Sequence, residues 1–168
     1  MSTNAKNYQH IRVVATAGHI KSLTEASASK ALTELIWNGF DASSTTVSVR
    51  FQYNTLEKLD SIIVEDLGEG IPFNEVETHF GKIGDSWKKI KKDKYHHPLH
   101  GQNGKGRFKA FCLGADVEWK TTYVDQNSHK SYSILGNHNH IEEFKISDVE
   151  HNTNNRQGTI VTISNLYN

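Results

Sequence analysis

Disulfides cannot organise this 168-residue chain, because its single cysteine, Cys112, has no partner within a monomer and the fold must rest on a buried core. Cys112 itself lies in the apolar run Phe108-Lys109-Ala110-Phe111-Cys112-Leu113, which gives it a small buried role in place of a reactive one. Net charge is also missing. Nineteen Lys and Arg balance nineteen Asp and Glu, so no overall field draws the protein to nucleic acid or an acidic membrane surface, and any polyanion binding must be local. No stretch approaches the ~20 consecutive apolar residues of a membrane span. The start, Met1-Ser2-Thr3-Asn4-Ala5-Lys6-Asn7, is polar without the apolar centre of a secretory signal, which reads as a cytoplasmic protein with no membrane partner. The length is one domain's worth, residues 1–168, and no internal repeat divides it.

Thr24 or Ser27 can cap a helix of roughly 24–41, whose Ala28, Ala31, Leu32, Leu35, Ile36 and Phe40 recur at three and four residues until Gly39 and Ser43-Ser44 weaken it. Val47, Val49 and Phe51 then alternate with Ser48, Arg50 and Gln52, the period of a strand with one buried face. After a turn at 54–59, Ile62-Ile63-Val64 reads as a second strand that runs into Asp66-Leu67-Gly68-Glu69-Gly70, and Ile71-Pro72-Phe73 opens a short helix near 73–80. Residues 81–103 carry Gly, Lys and His with no period and are expected to form a long loop, a kind usually functional or mobile in a compact domain. A helix is expected from Gly106 to about Leu113, followed by strands at 117–124, 130–135, 141–146 and 159–163. Helices early and strands late predict an α/β (α+β) two-layer sandwich, with helices on one face of a mixed, mainly antiparallel sheet.

Four segments carry chemistry. Glu34, Asn38 and Asp41 fall on one side of the first helix, offering a base, a metal ligand and a second acid, although acids and amides also line ordinary solvated helices. In Asp66-Leu67-Gly68-Glu69-Gly70 a carboxylate ends a buried strand and the glycines let a flat ring approach; a plain tight turn has the same composition. Gly101-Gln102-Asn103-Gly104-Lys105-Gly106 brings unblocked N–H groups to a helix start, suited to phosphate or to a flexible linker, without the spacing of a P-loop or dinucleotide fingerprint. Gly158-Thr159-Ile160-Val161 starts a strand with a glycine and a hydroxyl. In the long loop, Ser86 and Lys88 could reach terminal phosphates, and the lysine run 88–94 reads as solvated surface or a nucleic-acid contact. The histidines of Tyr95-His96-His97-Pro98-Leu99-His100 lack a cysteine or flanking acid to complete a metal site.

In this order the segments resemble the ATP-binding domain of the GHKL superfamily: DNA gyrase B, the ninety-kilodalton heat-shock chaperone, sensor histidine kinases and MutL. The likeness spans about 22–164. Glu34-Leu35-Ile36-x-Asn38-x-x-Asp41-Ala42 looks like the first box, Asp66-x-Gly68-x-Gly70 the second, and Gly101-Gln102-x-Gly104-x-Gly106-x-Phe108 the chaperone's form of the third. Gly158-Thr159 matches the last box, and Gly84-x-Ser86-x-Lys88 resembles the lid segment of the chaperone and of MORC-type ATPases.

The resemblance implies a Bergerat-type fold with ATP and Mg2+ as ligands. Glu34 would activate water, Asn38 would hold Mg2+, Asp66 would take the adenine amino group with Thr159 assisting through water, and Asp41 and Ala42 would brace the site. Gly68, Gly70 and Ile71 would border the base, while Gly101, Gln102, Asn103, Gly104, Lys105, Gly106 and Phe108, with Ser86 and Lys88, would surround the phosphates. Residues 81–103 would close as a lid, coupled to a nucleotide-dependent homodimer or a downstream domain. Sensor kinases generally carry asparagine where this chain has Glu34, which favours hydrolysis. A non-hydrolysing ATP-binding module and a DNA-associated ATPase using the lysine run are the other readings. Trp37 and Phe40 are expected to shape the pocket wall. Relatives take a catalytic lysine or arginine from a following domain, so the chain is expected to be the N-terminal part of a longer protein and to turn ATP over more slowly than on the order of 1 s⁻¹.

Overall fold

Strand alternation builds one layer. The computed structural model describes residues 8–13, 25–81, 106–151 and 153–167. Its strands are β1 Tyr8–Arg12, β2 Val47–Tyr53, β3 Leu59–Asp66, β4 Gly114–Asp125, β5 Ser128–Asn137, β6 Glu143–Ser147, β7 Glu150–His151 and β8 Gly158–Leu166. They pair in the order β1-β6-β5-β4-β8-β3-β2, with β7 on β5, and every ladder among the described residues is antiparallel. The last strand is inserted between β4 and β3, which sets Thr159 beside Asp66. Val117, Trp119 and Thr121 of β4, Tyr132 and Ile134 of β5, and Val161 and Ile163 of β8 are buried at every second position. β2 lies at the edge, so the face expected to be buried fades along it: Val47 and Val49 pack on the core, whereas Phe51 and Tyr53 are exposed.

Helix α1, Ala28–Asp41, is capped by Ser27, whose hydroxyl accepts from Lys30 N at 3.3 Å. Of the two candidate caps, Ser27 is the one used. Ala31, Leu35 and Gly39 form its buried stripe. Pro72 precedes a 3-10 turn, Phe73–Glu75, that leads into the short α2, Val76–Phe80. The helix expected after Gly106 is a 3-10 segment, Gly106–Cys112. It lies between α1 and β4 and buries Phe108, Ala110 and Phe111 completely, so packing on two sides overrides the α-helical period. Phe144 centres the core, with ring centroids 5.1 Å from Phe80, 5.9 Å from Trp119, 6.0 Å from Phe108 and 6.4 Å from Phe111. Cys112 packs against this core, and burial pushes its thiol above the ordinary range. No helix among the described residues is long and apolar enough to cross a membrane.

Gly39 does not end α1; the helix runs through it to Asp41. A Cβ there would stand 2.7 Å from Val47 Cγ2 and 2.9 Å from Asp66 Cβ, so the glycine is the contact that lets the helix lie on the sheet. Alanine normally gains about 1 kcal/mol over glycine inside a helix. Gly39→Ala is expected to do the reverse, losing about 1–3 kcal/mol through overpacking; urea unfolding measures it, and a more stable variant would contradict the contact.

Candidate functional site

Three ladders place Asp66, Thr159, Thr121 and Tyr132 in one row across β3, β8, β4 and β5: Asp66 opposite Thr159, Thr159 opposite Thr121, and Thr121 opposite Tyr132. All four are buried. The loop after Asp66 is laid across this row and tied to it. Ile71 N donates to Thr121 Oγ1 at 2.9 Å, and the Tyr132 hydroxyl donates to Ile71 O at 2.9 Å. The close approach needs Gly70, whose φ is +68° and whose Cβ would meet Thr122 O at 2.1 Å. On the other side the loop is fixed to the end of α1: Glu69 N donates to Ala42 O at 2.8 Å, and a Cβ on Gly68 would stand 2.3 Å from the same oxygen. Ser44 accepts from Leu67 N at 2.9 Å, and Gln157 Nε2 donates to Glu69 O at 3.0 Å.

Asp66 uses one oxygen for the fold. Its Oδ1 accepts from Gly68 N at 2.9 Å and Thr159 N at 3.3 Å, while Oδ2 has no hydrogen-bond partner among the described residues. Burial pushes the carboxyl up to about 6, opposed by those two N–H donors and assisted by the neighbouring charge of Glu65. A carboxylate oxygen with open acceptor capacity, on a residue that is otherwise buried, suits a ligand N–H donor.

The other half of the site is on α1. An added Cβ at Gly106 would lie 3.2 Å from Glu34 Oε2 and 3.3 and 3.4 Å from Nδ2 and Oδ1 of Asn38. Glu34, Asn38 and Gly106 therefore converge, and Gly39, the residue after Asn38, touches Asp66. Such a carboxylate and amide oxygen beside a glycine backbone suit a hydrated Mg2+ held mainly by phosphates, which keeps several of its waters. Beside Gly106, the Arg107 guanidinium lies 4.6 Å from the Phe108 ring centroid and 5.7 Å from that of Phe80, and burial lowers it to about 10.

One expectation is corrected. The Phe108 side chain is fully buried against Phe144 and belongs to the core, so it does not line the site. Trp37 and Phe40 stack edge to face at 5.8 Å and stay about 40 % exposed (39% and 41%), since their positions fall away from α1's buried stripe. Asp41 is buried at the end of α1. Ser86, Lys88, Gly101, Gln102, Asn103, Gly104 and Lys105 lie outside the described residues, as does the expected lid apart from Gly81. Sequence reasoning missed Thr121, Tyr132, Ser44 and Gln157. Only strand alternation could have signalled the first two, because their partners are distant in the chain.

An antiparallel sheet carrying helices on one face, with a carboxylate and a hydroxyl row meeting a Glu–Asn helix face, is the architecture of a GHKL-type nucleotide-binding domain. The sequence profile of the family described as histidine kinase-, DNA gyrase B-, and HSP90-like ATPase matches residues 26–159, and the chain belongs to that family. Membership supports ATP binding. No curated protein sequence matches the chain significantly.

The buried Asp66 charge has a cost with a definite sign. With its folded value near 6 against an ordinary 3.8, protonated Asp66 favours the fold; that stability is complete below about pH 4 and lost as pH rises through 6. The gap corresponds to about 3 kcal/mol. Asp66→Asn keeps an acceptor for Gly68 and Thr159 without the charge. Denaturant unfolding should find it more stable than wild type, by up to about 3 kcal/mol above neutral pH, with the difference shrinking as pH falls toward 4. A wild type more stable than the variant at pH 8 would contradict the assignment.

Proposed function

We propose that this domain binds ATP with Mg2+ and hydrolyses it, its nucleotide state being passed on through closure of residues 81–103 to a second protomer or a downstream domain. The observation that carries the reading is the convergence of Glu34, Asn38 and Gly106 on one side of α1, one residue from the contact between Gly39 and Asp66. In this reading Asp66 Oδ2 accepts the 6-amino group of adenine, and the Gly68–Ile71 loop borders the ring. Asn38 would hold Mg2+, which neutralises phosphate charge when bound. Glu34 orients a water on the γ-phosphorus and accepts its proton as the P–O bond to ADP breaks, the leaving oxygen keeping the electron pair.

Glu34→Ala separates hydrolysis from binding. Loss of a positioned general base is expected to lower turnover by about 10²–10⁴-fold. The variant should still be stabilised by ATP and Mg2+, by roughly 2.7 kcal/mol at a hundredfold excess over Kd. Phosphate release and a thermal melt on the same samples read both quantities. Unchanged phosphate release would remove Glu34 from the chemistry, and loss of ATP-dependent stabilisation would make it a binding residue.

A further inference from the structure

The face of the sheet turned away from Asp66 carries a cavity of its own. Neighbouring residues of a strand point to opposite faces, so Glu65, Ile160 and Lys120, each one residue from Asp66, Thr159 and Thr121, form a row behind them. Glu65 lies opposite Ile160, and Ile160 opposite Lys120. With the loop 153–157 this row encloses a cavity of about 160 Å³, whose lining includes Glu65, Leu67, Lys120, Asn155, Arg156 and Ile160. That is about ten times the roughly 10–15 Å³ that one water needs.

The loop is held in place by the protein itself. Thr153 N donates to His129 O at 3.1 Å, and the Thr153 hydroxyl lies 3.0 Å from Ser131 Oγ. Asn155 Nδ2 donates to the same Ser131 hydroxyl at 3.2 Å, and His129 Nδ1 donates to Asn155 O at 2.9 Å. Gln157 Nε2 reaches Glu69 O at 3.0 Å. Arg156 therefore stands between two tethered residues, yet its own side chain is exposed and makes no hydrogen bond or ion pair among the described residues. The same is true of the Lys120 ammonium. Of the two acids at the wall, Asp66 turns its carboxylate to the other face, where it accepts from Gly68 and Thr159. Glu65 is already paired with Arg50, Oε2 to Nη1 at 2.6 Å. Two uncompensated cations thus share one small concave site.

We propose that this cavity binds a single phosphate group on the face of the sheet opposite the Asp66 carboxylate. Arg156 supplies a planar fork that matches two phosphate oxygens, and Lys120 supplies a point charge for a third. The dianion balances both cations, which a lone carboxylate would not. A polyanion is disfavoured, because the same face of β4 continues from Lys120 to Glu118 and Asp116, whose charges repel a nucleic-acid backbone laid along it. Leu67 and Gly158 also line the cavity, so an occupant would brace from behind the two turns that flank Asp66. The inference goes beyond the ATP reading and does not depend on it.

The test titrates inorganic phosphate into the full chain at low salt and follows backbone amides by NMR, with sodium chloride at matched ionic strength as the control. Saturable shifts centred on Lys120, Arg156, Gln157 and Ile160 are expected, with a Kd on the order of 1 mM. Lys120→Gln and Arg156→Gln, at exposed positions whose side chains hold no other part of the fold, should each weaken binding by about tenfold or more. Glycerol 3-phosphate in a parallel titration identifies the source. Tighter binding than inorganic phosphate assigns the site to a phosphate carried on a small molecule, equal or weaker binding assigns it to the free ion, and both support the site. Shifts that grow without saturating, that centre on Gly68 and Gly106, or that survive both substitutions overturn the proposal. So does a single-stranded oligonucleotide that binds more tightly than either phosphate and shifts Glu118, which would make this face a nucleic-acid surface.

Discussion

A carboxylate buried at the end of a strand is the constraint around which this domain is arranged. Asp66 is held by two backbone N–H donors on one oxygen, from its own loop and from β8, and burial still drives it toward neutrality. A charge so placed destabilises the fold unless something compensates it. The compensation from the protein is one-sided, and the second oxygen keeps its acceptor capacity. The same geometry that weakens the apo domain leaves an acceptor open, the usual trade between stability and function if a donor group binds there, as proposed.

The surroundings of Asp66 depend on close approach. Gly39 brings α1 down onto Asp66 and Val47, Gly68 and Gly70 press their loop onto Ala42 and Thr122, and Gly106 fits against Glu34 and Asn38. The contacts at Gly39, Gly68 and Gly70 are closer than a Cβ would allow and that at Gly106 is tight, which leaves the polar groups of α1 and the end of β3 on one short span of structure. The row from Asp66 to Tyr132 adds direction: the Ile71 peptide donates to Thr121 and accepts from Tyr132. Packing sets the distances, and the hydrogen-bonded row sets the polarity. Behind both stands the aromatic cluster about Phe144, which anchors the segment that begins at Gly106.

What was legible in the sequence was local. The spacing of Ala31, Leu35 and Leu32 exposed α1, alternation exposed β2 and the later strands, and the order of four short motifs exposed the family. β1 was not legible, because Tyr8–Arg12 is a mostly exposed edge strand whose residues show no buried alternation. The 3-10 form of Gly106–Cys112 was hidden for the opposite reason, its residues being buried on more than one side. Phe108 was misplaced because a motif position does not say whether a side chain or its backbone faces the site. Thr121 and Tyr132 were silent, since their partners Ile71 and Thr159 lie in other strands and loops, and nothing in Lys120-Thr121-Thr122 distinguishes a hydroxyl that ties down a loop from any other core hydroxyl.

The proposed function requires one cleft that joins Asp66 to the Glu34 and Asn38 face of α1. A crystal structure of the chain with Mg2+ and a non-hydrolysable ATP analogue measures that directly. The prediction is an adenine amino group about 2.9 Å from Asp66 Oδ2 and a Mg2+ about 2.1 Å from Asn38 Oδ1, with the γ-phosphate facing Glu34. Nucleotide density that engages one of these groups and leaves the other remote, or that lies on the opposite face of the sheet, would contradict it.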